Sequence, residues 1–112
     1  MKINKTDFSE VLEITVLPVL DSRGFFVRTY DKEIFAKYKI RHTWVQENKS
    51  LTKKAGTIRG LHFQFPPFTE AKLVSVLNGK IFDVILDLRC GSDTFGQYYS
   101  TIISKENNKS LI

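Results

Sequence analysis

Short runs of β-branched and aromatic residues, each stopped by a glycine, proline, asparagine or aspartate after roughly ten residues or fewer, recur along nearly the whole chain. No such run can bury an apolar face alone, so the runs must pair into sheets that cover one another. Val11 to Leu20 reads as a strand interrupted by Pro18, which places it at a sheet edge. Asp21-Ser22-Arg23-Gly24 is a turn, and Gly24 to Tyr30 is the strand that follows it. Asp31 caps a short helix through Tyr38, with Ile34, Phe35 and Tyr38 on one face. Thr43 to Ser50, Thr57 to Gln64 and Phe95 to Ile103 read as further strands, the second ended by Pro66-Pro67. Asn78-Gly79, between Lys72–Leu77 and Lys80–Leu88, predicts a type I′ turn and a tight hairpin. A polar turn from Ser104 to Ser110 follows the last of these strands.

The pattern predicts an all-β fold with one short helix, an antiparallel sandwich or barrel forming a single domain over residues 1–112. Leu111-Ile112 opens a fresh apolar run. The domain is therefore expected to be incomplete at its C-terminus: either the chain is part of a longer protein or another copy supplies its last strand.

Composition narrows the class. With 42% hydrophobic and 26% charged residues the chain is that of an ordinary soluble domain, and no apolar run reaches the roughly 18 residues of a membrane span. Thr6-Asp7-Phe8-Ser9-Glu10 interrupts what would be the apolar core of a signal peptide, and the single cysteine, Cys90, fits a reducing compartment. A cytoplasmic location is expected, with no membrane partner. Only Arg89 beside Cys90 would favour a thiolate, so the thiol is read as a plain one. The net charge of +5 raises nucleic acid as a partner, but the lysines are scattered from Lys2 to Lys109 and join no stripe of stacking aromatics. A basic surface that attracts a diphosphate-bearing small molecule accounts for the same excess.

The candidate chemistry lies between Gly56 and Leu77, where Arg59, His62 and Lys72 fall on two adjacent strand-like runs. An arginine pairs with phosphate, a histidine moves a proton near neutral pH, and a lysine stabilises charge developing on an oxygen. Strand alternation points Arg59 and His62 to opposite faces, so a shared pocket requires a bulge or twist near Gly60. Asp83, across the predicted hairpin, is the candidate charge partner of Lys72. Each residue also has a plainer role: His62 as a half-buried hydrogen-bonding residue, Lys72 as a solvated edge charge, Asp83 as a structural acid, and Arg23 and Arg28 as surface charges. A metal site is disfavoured because His62-Phe63-Gln64 offers glutamine where a second histidine would bind. Glycine-rich phosphate loops and a motif around a nucleophile are missing.

Taken together, Asp21-Ser22-Arg23-Gly24-Phe25-Phe26, Val45-Gln46-Glu47-Asn48-Lys49-Ser50, Ile58-Arg59-Gly60-Leu61-His62-Phe63-Gln64, Ala71-Lys72-Leu73-Val74 and Asp83 through Arg89 resemble the dTDP-4-dehydrorhamnose 3,5-epimerase family. Pro66-Pro67 and Ser92-Asp93-Thr94-Phe95-Gly96 extend the resemblance to nearly the whole chain. It implies a cupin-like jelly roll and a cofactor-independent isomerase acting on a nucleotide-diphosphate sugar. It further implies His62 as the base, Lys72 for the enolate oxygen, Arg59 and Arg23 for the diphosphate, Gln46 and Asn48 as hydrogen-bonding partners of the substrate, and Phe26 stacked near the nucleotide base. A homodimer that exchanges N-terminal strands is also implied. Asp83 stands with His62 and Lys72 in the catalytic set, and Arg28 with the substrate-binding set. Many members carry glutamate where this chain has Arg28, which leaves the sugar and nucleotide open. The family's proline-glycine-phenylalanine-histidine motif, its general-acid tyrosine and the aspartate that orients the histidine have no counterpart in residues 1–112, so the 112-residue chain alone is expected to turn over little or no substrate.

Overall fold

In a computed structural model of residues 1–112, eight short strands and one helix form three antiparallel sheets. Strand β1 spans Lys2–Lys5 and β2 Leu12–Thr15, paired so that Ile3 lies opposite Ile14. Alternation along β2 sends Leu12 and Ile14 to one face and Glu13 to the other. The first face meets Phe35 of helix α1 (Lys32–Lys37), forming a core with Ile3, Val16 and Ile40 in which Phe35 and Ile14 are each 1% exposed. Burying a side chain of that size contributes roughly 2–3 kcal/mol. The helix itself starts where Asp31 accepts hydrogen bonds from the Glu33 and Ile34 backbone N–H groups, and it ends before Lys39, whose φ is +64°.

Strands β3 (Val19–Asp21) and β4 (Gly24–Phe26) form an exposed hairpin. Strand β5 is only Val74–Ser75, β6 spans Lys80–Leu86, β7 Tyr98–Ser104 and β8 Lys109–Leu111. β8 lies between β2 and β5, with Leu111 opposite both Glu13 and Val74. The β6–β7 ribbon covers the second face of this four-stranded sheet, where Phe8, Val11, Ile103 and Leu111 form a second core. Leu111 is 1% exposed and is the last residue of β8, a central strand that begins at Lys109, inside the segment expected to be a polar turn.

Several elements depart from expectation. Leu12–Thr15 is paired on both sides and is no edge; Pro18 separates it from β3. Lys2–Lys5, to which the sequence pattern assigns no element, is itself a strand. Asn78-Gly79 does not close a hairpin: β5 pairs with β8, and β6 with β7. A type I′ turn needs positive φ at both central residues, and here Gly79 has it while Asn78 does not. The bend instead carries the chain from one sheet to the other. Residues 43–50 and 57–64 form no ladder, and Val45 and Ile58 are almost fully exposed. β-propensity is expressed only where a neighbouring strand accepts the pairing, and none lies alongside these segments. No helix is long and apolar enough to cross a membrane.

Candidate active site

Arg59, His62, Lys72 and Asp83 line one cavity of about 290 Å³, walled by apolar side chains that include Val74, Ile85 and Leu111. Asp83 reaches it from β6, where it lies opposite Thr101 of β7. Arg59, His62 and Lys72 reach it from irregular chain. The obstacle that alternation posed is removed at Gly60, where φ is +101° and the chain leaves strand geometry between Arg59 and His62. Both side chains thereby face the same space.

Each polar group has its own surroundings. Arg59 donates from Nε to Thr52 Oγ1 at 3.0 Å and from Nη2 to the Leu51 carbonyl at 3.5 Å, leaving the rest of its guanidinium free. His62 packs its ring over Gly60. Lys72 Nζ lies 2.8 Å from Glu70 Oε1, which corrects the expected pairing with Asp83. Asp83 has no cationic partner, and burial pushes its carboxyl above the ordinary aspartate range, opposed by a hydrogen bond from the Val84 backbone. An apolar pocket lined by a cation, a histidine and a carboxyl of raised pKa suits proton transfer next to a carbonyl.

The remaining candidates lie elsewhere. Arg23 and Phe26 share a shallow depression on the β3–β4 hairpin with Asp21, Gly24 and Phe25. Arg23 Nη2 is 2.6 Å from Asp21 Oδ2, and its hydrogen bonds hold the Asp21 carboxyl below its usual range. Arg28 is tied to Asp31 at 2.6 Å. Gln46 and Asn48 are exposed and line neither depression. No three His, Cys, Asp or Glu side chains converge as a metal site. Sequence reasoning missed Glu70, although its position two residues before Lys72 would put both side chains on one side of an extended chain.

The fold is an all-β, cupin-like jelly roll with one short helix, an architecture shared with solved structures similar to it. The structure of the Bacillus anthracis dTDP-4-dehydrorhamnose 3,5-epimerase, described with TDP and PPi bound, superposes with a TM-score of 0.94 at 41% identity, over 98% of this chain and 63% of that one. The Legionella pneumophila epimerase in complex with dTDP-4-keto-L-rhamnose gives 0.91 at 40% identity, over 98% and 58%. In sequence, the Shigella flexneri dTDP-4-dehydrorhamnose 3,5-epimerase is 37% identical over 112 residues, 99% of this chain and 61% of its own. The Sinorhizobium fredii protein of the same name is 43% identical over 91 residues, 81% of this chain and 47% of its own. The chain thus spans about half to three fifths of the length of these two curated relatives. A sequence model of the dTDP-4-dehydrorhamnose 3,5-epimerase family matches residues 5–112, and the chain belongs to that family.

Proposed function

We propose that this protein is a nucleotide-sugar epimerase that inverts C3, C5 or both in a dTDP-4-keto-6-deoxyhexose. The reading rests above all on the convergence of Arg59, His62, Lys72 and Asp83 on one cavity. The C4 ketone lies between C3 and C5 and acidifies the hydrogen on each. His62 removes that proton, and the electron pair left on carbon delocalises onto the ketone oxygen as an enolate. Lys72 stabilises the oxygen, Asp83 completes the polar lining, and a proton returned from the opposite face by the family's general acid, which has no counterpart in residues 1–112, inverts the centre. Arg59 holds the diphosphate from the cavity; Arg23 for the diphosphate, Phe26 for the base, and Gln46, Asn48 and Arg28 for the remaining nucleotide-sugar contacts lie outside it and are assigned on the family resemblance. No cofactor takes part.

We place the protein in the cytoplasm on its single free cysteine. We assign it a homodimer that exchanges N-terminal strands. The β3–β4 hairpin supports this, because Val19, Leu20 and Phe25 are all more than half exposed and β3 pairs on one side only. Incubation of the full-length gene product with a dTDP-4-keto-6-deoxyhexose in deuterium oxide tests the activity, with incorporation at C3 or C5 followed by mass spectrometry and NMR. Binding of the nucleotide sugar without incorporation would identify a binding module instead.

A further inference from the structure

We propose that Glu70 is a positioning residue, holding the Lys72 ammonium at the cavity and tying it to the segment that carries His62. The inference rests on the reading of His62 as base and Lys72 as the cation facing the enolate. Glu70 Oε1 forms an ion pair with Lys72 Nζ at 2.8 Å and accepts a hydrogen bond from Gln64 Nε2 at 3.3 Å. Gln64 lies two residues beyond His62, and between Gln64 and Glu70 the chain turns at Pro66-Pro67, closed by a hydrogen bond from Phe68 N to the Phe65 carbonyl at 2.9 Å.

Neither His62 nor Lys72 belongs to a strand, so no sheet hydrogen bond sets the separation of base and cation. The Glu70 carboxylate is the side-chain bridge between their segments. A lysine needs such a partner more than an arginine would, because its charge sits on a flexible four-carbon stem. Asp83, expected to serve, makes no ion pair with it. Stability does not account for the contact: Lys72 and Glu70 side chains are 52% and 42% exposed, and a pair that open to solvent contributes about 0–1 kcal/mol. Its consequence is geometric, and misplacing a catalytic group by about 1 Å costs up to about a hundredfold in rate.

Glu70→Gln separates charge from tether, since its amide oxygen still accepts from Gln64 while the ion pair is lost. Glu70→Asp keeps the charge on a shorter stem. The lysine ammonium region of the 1H–15N spectrum, with the Lys72 signal assigned by its loss in Lys72→Arg, reports the placement directly. In Glu70→Gln we expect the Lys72 signal to shift, the melting temperature to hold, and kcat for solvent exchange to fall about ten- to a hundredfold with KM within about twofold. Glu70→Asp recovers part of the rate. An unchanged Lys72 signal, an unchanged kcat, or a loss confined to KM overturns the role of Glu70. If the full-length gene product exchanges no deuterium, the epimerase reading falls by itself, and the Lys72 signal still decides the tether: displacement supports it and invariance overturns it.

Discussion

A Cβ at Gly60 would lie 2.8 Å from Cδ2 of His62, and the φ of +101° there is one that L residues rarely adopt. The two constraints are independent, one acting on the backbone and one on the ring of the proposed base. Gly60→Ala is therefore expected to cost roughly 1–2 kcal/mol of stability from strain and to push the imidazole off its position. Deuterium exchange should fall about a hundredfold, further than unfolding accounts for, while the melt stays cooperative. Exchange at the unmodified rate would show that the His62 ring relaxes without consequence. Much at this scale was readable in advance. The conflict between strand alternation and a shared pocket for Arg59 and His62 pointed to Gly60, and the cavity brings the two residues together. The partner of Lys72 was not readable as Asp83, because that reading assumed a hairpin; Glu70 was within reach, two residues away.

Helix α1 has six residues, too few to persist alone, and depends on its cap and on the burial of Phe35. Asp31 Oδ1 accepts from Glu33 N at 3.0 Å and Ile34 N at 3.1 Å, while Oδ2 takes Arg28 Nη1 at 2.6 Å. The cap bonds and then the Arg28 pair hold the Asp31 carboxyl below its ordinary range. Its contribution is thus present above the unfolded pKa and fades as pH falls through the folded one. Asp31→Ala should lower the melting midpoint by roughly 4–8 °C. Asp31→Asn keeps an acceptor for the cap and should recover most of the loss; an equal fall in both would assign the stability to the ion pair with Arg28. The helix was legible because its signals are local: a cap residue and an apolar spacing within one turn of each other. The strands were less so, since a strand is defined by its neighbour. Val45 and Ile58 have strand composition without a ladder, and Asn78-Gly79 has hairpin composition at a bend between sheets.

At the scale of the whole molecule, the β6–β7 ribbon is joined to the four-stranded sheet by a polar cluster as well as by apolar packing. Glu13 Oε1 on β2 accepts from Tyr99 Oη at 2.7 Å and Thr101 Oγ1 at 2.8 Å on β7, and from Lys109 Nζ at 2.7 Å on β8. Lys109 also donates to Thr101 Oγ1 at 3.0 Å, so three strands share one carboxylate. Nothing in the sequence announces this, because Glu13 is 86 residues from Tyr99 and 96 from Lys109. Burial, then the hydrogen bond to Glu13 and its negative charge, push the Tyr99 hydroxyl up to about 12 from 10.0. A pKa raised by folding means that the protonated phenol is what the fold prefers. The stabilisation is complete below pH 10 and is lost as pH rises toward about 12. Tyr99→Phe keeps the ring, which packs 6.2 Å from Phe8, and removes only the hydroxyl. It should cost roughly 1 kcal/mol at pH 8. Urea unfolding of both proteins across the alkaline range is then expected to show a gap that narrows above pH 10 and closes near 12, where the unmodified protein has lost the same interaction. A gap that stays constant with pH would mean that Tyr99 contributes through packing alone and that the Glu13 cluster does not couple the two layers.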